Sequence, residues 1–387
     1  MASIRKRILP SGTVVWLVDY KDGAGKRRHK QFATRKGADE WLVTARADVA
    51  SGTHVADASS ITVAEACDLW IKKCKLKKLE QTTVDAYEQH VELHIKPLVG
   101  LTRLSRLTTG DIENFYETLL EAGRTPDMVR RVRINFGAIL AYAQMKDLVG
   151  KNVVRLTPFK VSKRNDKRPS VPTIDEVKRL LANVALDWLA FLYVALFGGL
   201  RASELRGLPW RNVDFKRSMI TVDQRADKWG KIGPPKSSAG TRDIPMPPIA
   251  MKALKEWKPR CPQSHLDLVF PTRVGTPQSH ANIMGRFFRP LQIAANVSKV
   301  TKVAPVVDKS GPVIAPAKTA IKAKYGLHAL RHFFASVLID ADCSAKKVQT
   351  LLGHASIVQT YDIYGHLFER RERDRQVILE IQKKIVG

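Results

Sequence analysis

The sequence predicts a multidomain protein: a small three-stranded β-sheet with one helix, then an all-α segment, then a mixed, mainly helical α+β segment. Three observations carry that expectation. At 387 residues the chain can hold two or three domains with their own cores. Its hydrophobic period is two residues near the start and helical through the middle. Polar linkers at 51–60 and 159–172 interrupt it, the second dense in Lys/Arg and carrying two prolines. The expected domains are 1–55, 61–160 and 170–387.

In the first segment "TVVWLVDY" (13–20) alternates polar and apolar residues like a strand, "KDGAG" supplies a turn, and "KRRHKQFA" (26–33) returns. "SIRKRIL" (3–9) is a candidate third strand, and Thr34 can cap the helix "RKGADEWLVTARADV". In the second, "TVAEACDLWIKKC", "TTVDAYEQHVELHI", "TTGDIENFYETLLEAG" and "TPDMVRRVRINFGAILAYAQ" read as amphipathic helices with Thr or Asp near their starts. The third segment opens on the helix "TIDEVKRLLANV", has a strand-like "SMITV", and closes on further helices. Residues 298–324, rich in Pro, Lys and Val without clear pattern, are expected to form an irregular insertion or loop. No internal repeat is present.

Charge narrows the class. There are 65 Lys+Arg against 37 Asp+Glu, a formal net of +28. Such an excess opposes compaction and points to a polyanionic partner, nucleic acid above all. No basic amphipathic helix stands out for a membrane surface, and no run reaches the ~18 apolar residues of a span. "MASIRKRILPSGTVVW" has only a short apolar run, so no signal peptide is read there and the cytosol is the expected compartment. Cys67, Cys74, Cys261 and Cys343 form no C-x-x-C pair, which supports neither a zinc site nor a disulfide framework. Residues 1–36 hold ten Lys/Arg and two acids. A short sheet so studded, with Arg5, Arg7, Lys26, Arg27, Arg28 and Lys30, suits insertion into a DNA groove. A solvated charged face is the plainer alternative.

Four short pieces of the third segment bring groups suited to one chemistry. "GGLRASELRGL" (198–208) sets Arg201 after two glycines that allow close backbone approach, and "PPKSSAGTRDIPM" (234–246) sets Lys236 where a hairpin tip is expected. "LHALRHFFASVLI" (327–339) reads as a helix with Leu327, Leu330, Phe334 and Leu338 as its apolar stripe. His328 and Arg331 share one edge of its buried face. His332 lies about 100° round from Arg331 and falls outside the expected set. "LLGHASIVQTYDIYGH" (351–366) adds His354, Tyr361 and Tyr364. Any one of these residues alone is more often a surface ion pair or a satisfied core group, and Arg201 has Glu204 three residues on as an ordinary partner.

Together the pieces resemble the tyrosine recombinase family, also called phage-type integrases. "HALRH" with "LLGH", then a tyrosine about ten residues on, is specific in combination. "HIKPLVGLTRLSRLTTGDIENFYETLL" is similar to the family's helical core-binding (SAM-like) domain, and the first segment to its three-stranded arm-binding domain. The likeness covers nearly the whole chain. It implies a site-specific recombinase of a phage or other mobile element, working in the bacterial cytoplasm or nucleoid. Its two C-terminal segments would clamp a core site, the first would bind arm sites, and four copies would exchange strands through a Holliday junction. A host DNA-bending protein and an excisionase are further implied partners. The charged tail "FERRERDRQVILEIQKKIVG" is expected to pack on a neighbouring protomer.

The resemblance assigns Arg201 and Arg331 to the phosphate, His328 and His354 to base and phosphate-contact roles, Lys236 to general acid, and Tyr364 to nucleophile. Elementary chemistry agrees. Two guanidinium groups can hold the non-bridging oxygens of a phosphodiester and stabilise charge that grows in the transition state. One such contact, by analogy with an arginine finger, is worth ~10³–10⁵ in rate. No carboxylate cluster with metal spacing accompanies these pieces, so no metal or other cofactor is expected. A free tyrosine has a pKa of about 10, leaving about one in a thousand ionised at pH 7. Neighbouring cations and a base have to offset roughly 4 kcal/mol. A covalent phosphotyrosine keeps the phosphodiester's free energy, so a 5′-hydroxyl can reseal the strand without ATP.

In the family pattern a threonine stands six residues after the motif histidine and the nucleophile nine or ten after. Thr360 and Tyr364 fit, while Tyr361 comes too early and is expected to pack. Phe333 stands where a smaller polar residue is commoner, and the 298–324 stretch is longer than a minimal member needs. A type IB topoisomerase-like enzyme shares the chemistry, and a DNA-binding regulator on an inactive integrase scaffold is the non-enzyme alternative. The first segment and small size count against the former, the complete residue set against the latter.

Overall fold

Three antiparallel strands, β1 (Ser3–Ile8), β2 (Val14–Lys21) and β3 (Arg27–Phe32), open the chain in the order β1-β2-β3. Thr34 then accepts a hydrogen bond from the Gly37 backbone at 3.2 Å and starts α1 (Arg35–Ala50). Pairing of Val18 with Lys30 and Tyr20 with Arg28 puts those four on one face with Phe32, because alternate residues share a face. Trp41 of α1 packs on that face, 5.0 Å from the Tyr20 ring and 5.5 Å from Phe32. Arg5, Arg7, Arg27 and His29 belong to the opposite face. The structure, a computed structural model, describes residues 2–22, 25–50, 55–57, 60–160, 170–303, 306–307, 313–315, 318–368 and 382. It forms two units, Met1–Asn165 and Asp166–Gly387.

The rest of the first unit is helical: α2 (Val63–Leu76), α3 (Gln81–His90), α4 (Lys96–Val99), α5 (Thr109–Glu121), α6 (Pro126–Met145) and α7 (Val153–Leu156). Local chemistry sets the starts. Thr62 with Glu65 and Thr108 with Asp111 form reciprocal capping boxes at α2 and α5, and Thr125 caps α6 just before Pro126. The stretch read as one helix, "TTVDAYEQHVELHI", instead passes through a π-helical turn at Val91–Ile95 before α4. Apolar stripes converge on Trp70, Val91, Ile112, Phe115, Val132, Phe136 and Ile139.

The second unit begins with α8 (Ile174–Asn183), capped by Thr173 and Glu176, followed by α9 (Leu186–Gly198) and α10 (Ala202–Gly207). α9 is apolar almost all round and is buried accordingly, at the centre of the unit's core. Strands β4 (Val213–Asp214) and β5 (Met219–Val222) precede the short hairpin β6 (Arg225–Ala226) and β7 (Ile232–Gly233). β8 (Arg242–Pro245) completes a β4-β5-β8 sheet. Then come α11 (Pro248–Trp257), α12 (His280–Asn282) and α13 (Arg289–Ala294).

The stretch expected to be an irregular loop is a β-ribbon instead. β9 (Ser298–Val303) pairs antiparallel with β12 (Lys318–Ala323) over six residues, and β10 (Val306–Val307) pairs with β11 (Val313–Ala315) between them. Its β-branched Val, Thr and Ile favour extended backbone, and the prolines that suggested a loop, at 305, 312 and 316, all lie outside the four strands in sequence. Three helices close the described chain: α14 (His328–Asp340), α15 (Ala345–Leu352) and α16 (Ile357–Phe368). The expected packing of the charged tail on a neighbour falls on 369–387, outside the described residues except 382.

The ribbon's return is fastened to α8. Lys324 and the Tyr325 hydroxyl both donate to Glu176 at 2.7 Å. Burial works against charge on Glu176, but Lys324, the Thr173 backbone and Tyr325 outweigh it and hold the carboxyl at about 2. Glu176→Ala removes a cap and two charged hydrogen bonds together. Urea unfolding of the full chain is expected to show the second unit weakened by about 2–4 kcal/mol.

Candidate active site

The C-terminal end of α15 gathers three arginines. A helix leaves its last carbonyls without intrahelical donors and carries negative partial charge there, so guanidinium groups suit it. Arg242 donates from Nε to the Leu351 carbonyl at 2.8 Å, Arg331 from Nη2 to Leu352 at 2.6 Å, and Arg201 from Nη2 to Gly353 at 3.0 Å. Arg331 also donates to the carbonyl of Gly199, just past α9, at 2.7 Å. Two glycines make this approach possible. Gly199 and Gly353 sit at φ +56° and +65°, and a Cβ on Gly353 would lie 2.8 Å from the Ala239 carbonyl. A Cβ on Gly199 would collide with the Phe334 ring.

Glu204 balances the cluster. It accepts from Arg201 Nη1 at 2.8 Å and Arg242 Nη2 at 2.9 Å, and also takes the Arg201 backbone N–H at the start of α10. Burial opposes its ionisation, but Arg242 and then Arg201 overcome that and hold the carboxyl at about 2. Arg331, only 2% exposed, feels Glu204 only at longer range, outside the Arg201 and Arg242 ion pairs. Burial and then Arg201 pull its guanidinium down to about 9, still protonated at neutral pH.

Around these cations stand the candidate tyrosine and three histidines. Tyr364 of α16 is 2% exposed, whereas Tyr361 is 51% exposed and touches Phe368 on the outer side. The expectation that Tyr361 packs holds only for that surface contact. Tyr364 belongs to a small apolar cluster with Ala335, Ile339, Val348 and Leu352, built from α14, α15 and α16. His354 shares a 2.9 Å hydrogen bond with Thr360 and stacks parallel to Tyr364 at 6.5 Å between centroids. His328 meets His332 edge to face at 4.7 Å.

Burial first, then the arginines, brings His354 down to about 4. Desolvation, followed by Arg331 and Arg201, lowers His328 as well. All three imidazoles are therefore neutral near pH 7, since His332 too is brought to about 4 by burial, His328 and Arg331. Burial pushes the Tyr364 hydroxyl up to about 12 while Arg331 pulls it the other way.

Arg201, Arg331, His354 and Tyr364 thus come together, while His328, expected on the buried face beside Arg331, is exposed at the border because it is the first residue of α14. Lys236 does not lie at a hairpin tip. The β6–β7 hairpin turns at 227–231, and Lys236 follows β7 in an exposed bend, three residues before the Ala239 carbonyl that abuts Gly353. The reason is length: the two-residue strands end before "PPK" begins.

Two residues outside the expected set are built into the site. Arg242 heads β8, whose alternation turns Arg242 and Ile244 inward; an arginine at a core-facing strand position was its sequence signal. His332 hydrogen-bonds the Tyr364 hydroxyl through Nδ1 at 2.7 Å. Its rotation from Arg331 aims it at α16, and its spacing of four from His328 was the available signal.

The six basic residues of the first segment divide. Arg5 pairs with Asp19 at 3.1 Å and Arg27 with the same carboxylate at 3.7 Å, both on the face opposite α1 with exposed side chains. Arg7 and Lys26 are exposed as well. Arg28 and Lys30 lie on the α1-covered face, paired with Asp22 at 2.8 Å and Asp57 at 2.9 Å, because their strand parity turns them inward. Among the described residues no three His, Cys, Asp or Glu side chains are placed to hold a metal, and no helix is long and apolar enough to cross a membrane.

The Phage integrase family pattern matches residues 172–371, just over half of the chain, and the Phage integrase N-terminal SAM-like domain matches 62–120. The chain therefore belongs to the phage integrase family. It is a tyrosine-type site-specific recombinase, an enzyme acting on DNA. A tyrosine recombinase XerC-like protein of Caldanaerobacter subterraneus subsp. tengcongensis is 22% identical, with 91% of each chain covered. The Tn1549 transposon integrase in complex with a circular intermediate DNA has the same fold, with a TM-score of 0.67 at 20% identity over 83% of this chain and 99% of that one. The lambda integrase tetramer bound to a Holliday junction gives a TM-score of 0.59 at 18% identity, over 95% of this chain and 97% of that one.

Glu204 supplies a test of the arginine hub. Its folded pKa lies below the roughly 4.3 of an unfolded glutamate, so its stabilisation is present above pH 5 and is lost as pH falls towards 2. Glu204→Gln is expected to lower stability at pH 7 by roughly 3 kcal/mol, because Arg242 stays buried without its counter-charge. The gap from wild type should close on acidification, read by denaturant unfolding at stepped pH.

Proposed function

We propose that Tyr364 attacks a DNA phosphodiester held by Arg201 and Arg331, forming a 3′-phosphotyrosyl link while Lys236 protonates the leaving 5′-oxygen, which departs as a 5′-hydroxyl. The observation that carries this is a buried phenol on α16 beside a buried guanidinium, within one chain. Each terminal nitrogen of a guanidinium carries two N–H groups, so Arg331 can hold its carbonyls and still donate to a phosphate. A bound phosphodiester adds negative charge that draws Arg331 back towards its usual pKa. His354, neutral and steadied by Thr360, is suited to donate to a non-bridging oxygen, and His328 borders the same space. Attack by a 5′-hydroxyl on the link reverses the step and rejoins DNA.

On this reading the first segment binds arm sites through the face opposite α1, with Arg5, Arg7, Arg27 and Lys26 as groove or phosphate contacts. Arg28 and Lys30 serve the sheet's own ion pairs first. Residues 61–160 and 170–387 bind the core site, and four copies exchange strands to integrate or excise a mobile element in the bacterial cytoplasm. An excisionase and a host DNA-bending protein complete the machinery. Neither an inactive scaffold nor a topoisomerase has an observation in its favour.

A nicked duplex drawn from the DNA bordering the gene tests the chemistry. Wild type and Tyr361→Phe are expected to give a covalent protein–DNA band on a denaturing gel, and Tyr364→Phe none. An adduct that survives Tyr364→Phe would place the nucleophile elsewhere.

A further inference from the structure

We propose that His332 is a catalytic residue: its Nδ1 takes the proton of the Tyr364 hydroxyl as the oxygen bonds to phosphorus. The inference rests on Tyr364 being the nucleophile and adds the group that activates it. His332 is the ring nitrogen whose hydrogen bond to that hydroxyl the structure gives, at 2.7 Å, whereas His354 is bonded to Thr360. His328 meets the His332 ring edge to face and contacts the imidazole rather than the phenol. The contact joins two elements, α14 and α16, that the shared apolar cluster holds together, so the pair is set by packing rather than by a mobile side chain.

Charge sets the direction of the bond. On its own helix His332 faces His328 and Arg331; Tyr364 meets it from α16, His354 follows α15, and Arg201, Arg242 and Glu204 lie behind Arg331. This surrounding positive charge, added to burial, keeps the imidazole neutral and its Nδ1 able to accept. The phenol keeps its proton up to about pH 12, so it is the donor. When the phosphodiester binds, its negative charge raises the basicity of His332 just as the phenol must lose its proton.

The step balances. The Tyr364 O–H bond breaks and its proton passes to Nδ1 while the tyrosyl oxygen–phosphorus bond forms. The phosphorus–5′-oxygen bond breaks, and the leaving oxygen takes its proton from Lys236. Resealing runs the same path backwards, with His332 returning the proton to the departing phenol.

Two measurements decide it. The first needs no DNA. In protein labelled with ¹⁵N-histidine, with the His332 signal identified by its loss in His332→Gln, Nδ1 at pH 7 is expected to be unprotonated. Its shift should change in Tyr364→Phe. A protonated Nδ1 reverses donor and acceptor and overturns the proposal.

The second is single-turnover cleavage of the nicked duplex between pH 6 and 9. Wild type is expected to vary little from this group. His332→Ala should lose about 10²–10⁴-fold at pH 7, and its rate should rise about tenfold per pH unit, because the phenol must now ionise into solvent. His332→Gln keeps a hydrogen-bond acceptor but no base, and is expected to retain the steep slope. Restoration of the wild-type rate and flat profile by Gln would reduce His332 to placing the ring. A uniform loss in His332→Ala with the wild-type profile would make it structural. Both outcomes overturn proton acceptance while leaving the Tyr364 adduct intact, whereas a wild-type protein giving no adduct removes the nucleophile and this inference together.

Discussion

Three carbonyl oxygens at the end of one eight-residue helix organise the candidate site. Leu351, Leu352 and Gly353 close α15, and each takes an N–H from a different arginine, drawn from β8, α14 and the start of α10. Unpaired, those oxygens would be a liability inside a folded unit, where a buried acceptor without a donor costs about 1–3 kcal/mol. Arginine removes that cost and brings permanent positive charge to the same place. Glu204 shares its single negative charge between Arg201 and Arg242, so the cluster stays net positive, with Arg331 outside those ion pairs. The cations therefore stand where they do because the backbone requires donors there, before any DNA arrives.

That arrangement governs the neighbouring titratable groups. Three histidines around one cationic cluster are held neutral, so they serve as hydrogen-bonding groups rather than further charges. The tyrosine is treated oppositely by its two surroundings: apolar packing raises its pKa and Arg331 lowers it. Burial prevails over Arg331. For a hydroxyl proposed as the nucleophile, such protection guards against indiscriminate attack and leaves activation to groups that respond when a phosphate enters.

Much of this was legible in sequence because the signals are short-ranged. The capping pairs Thr62/Glu65, Thr108/Asp111 and Thr173/Glu176 lie three residues apart and fixed helix starts without reference to the rest of the chain. The spacing from His354 to Thr360 and Tyr364 was local in the same way, whereas His328, at the first turn of α14, is exposed although Arg331 three residues on is buried. What was missed depends on distant partners. Arg242 meets Leu351 across 109 positions, and His332 meets Tyr364 across 32. The ribbon of β9 and β12 pairs Ser298 with Ala323, a register no short window reveals. Strand parity in the first sheet, which turned Arg28 and Lys30 towards α1, required knowing which face the helix covers.

The apolar cluster behind Tyr364 also limits how such an enzyme can be silenced. The ring is a core side chain with Ile339, Val348 and Leu352 against it, so withdrawing α16 from its own subunit means opening a miniature core. Each large aliphatic or aromatic group exposed that way costs on the order of 1.5–3 kcal/mol. Breaking the one hydrogen bond between an imidazole and the phenol costs about 0.5–1.5 kcal/mol, less than exposing several such groups by prising out a helix. On the proposed chemistry, silencing one copy gains more from disturbing the fine alignment of a single hydroxyl than from dragging the whole segment away.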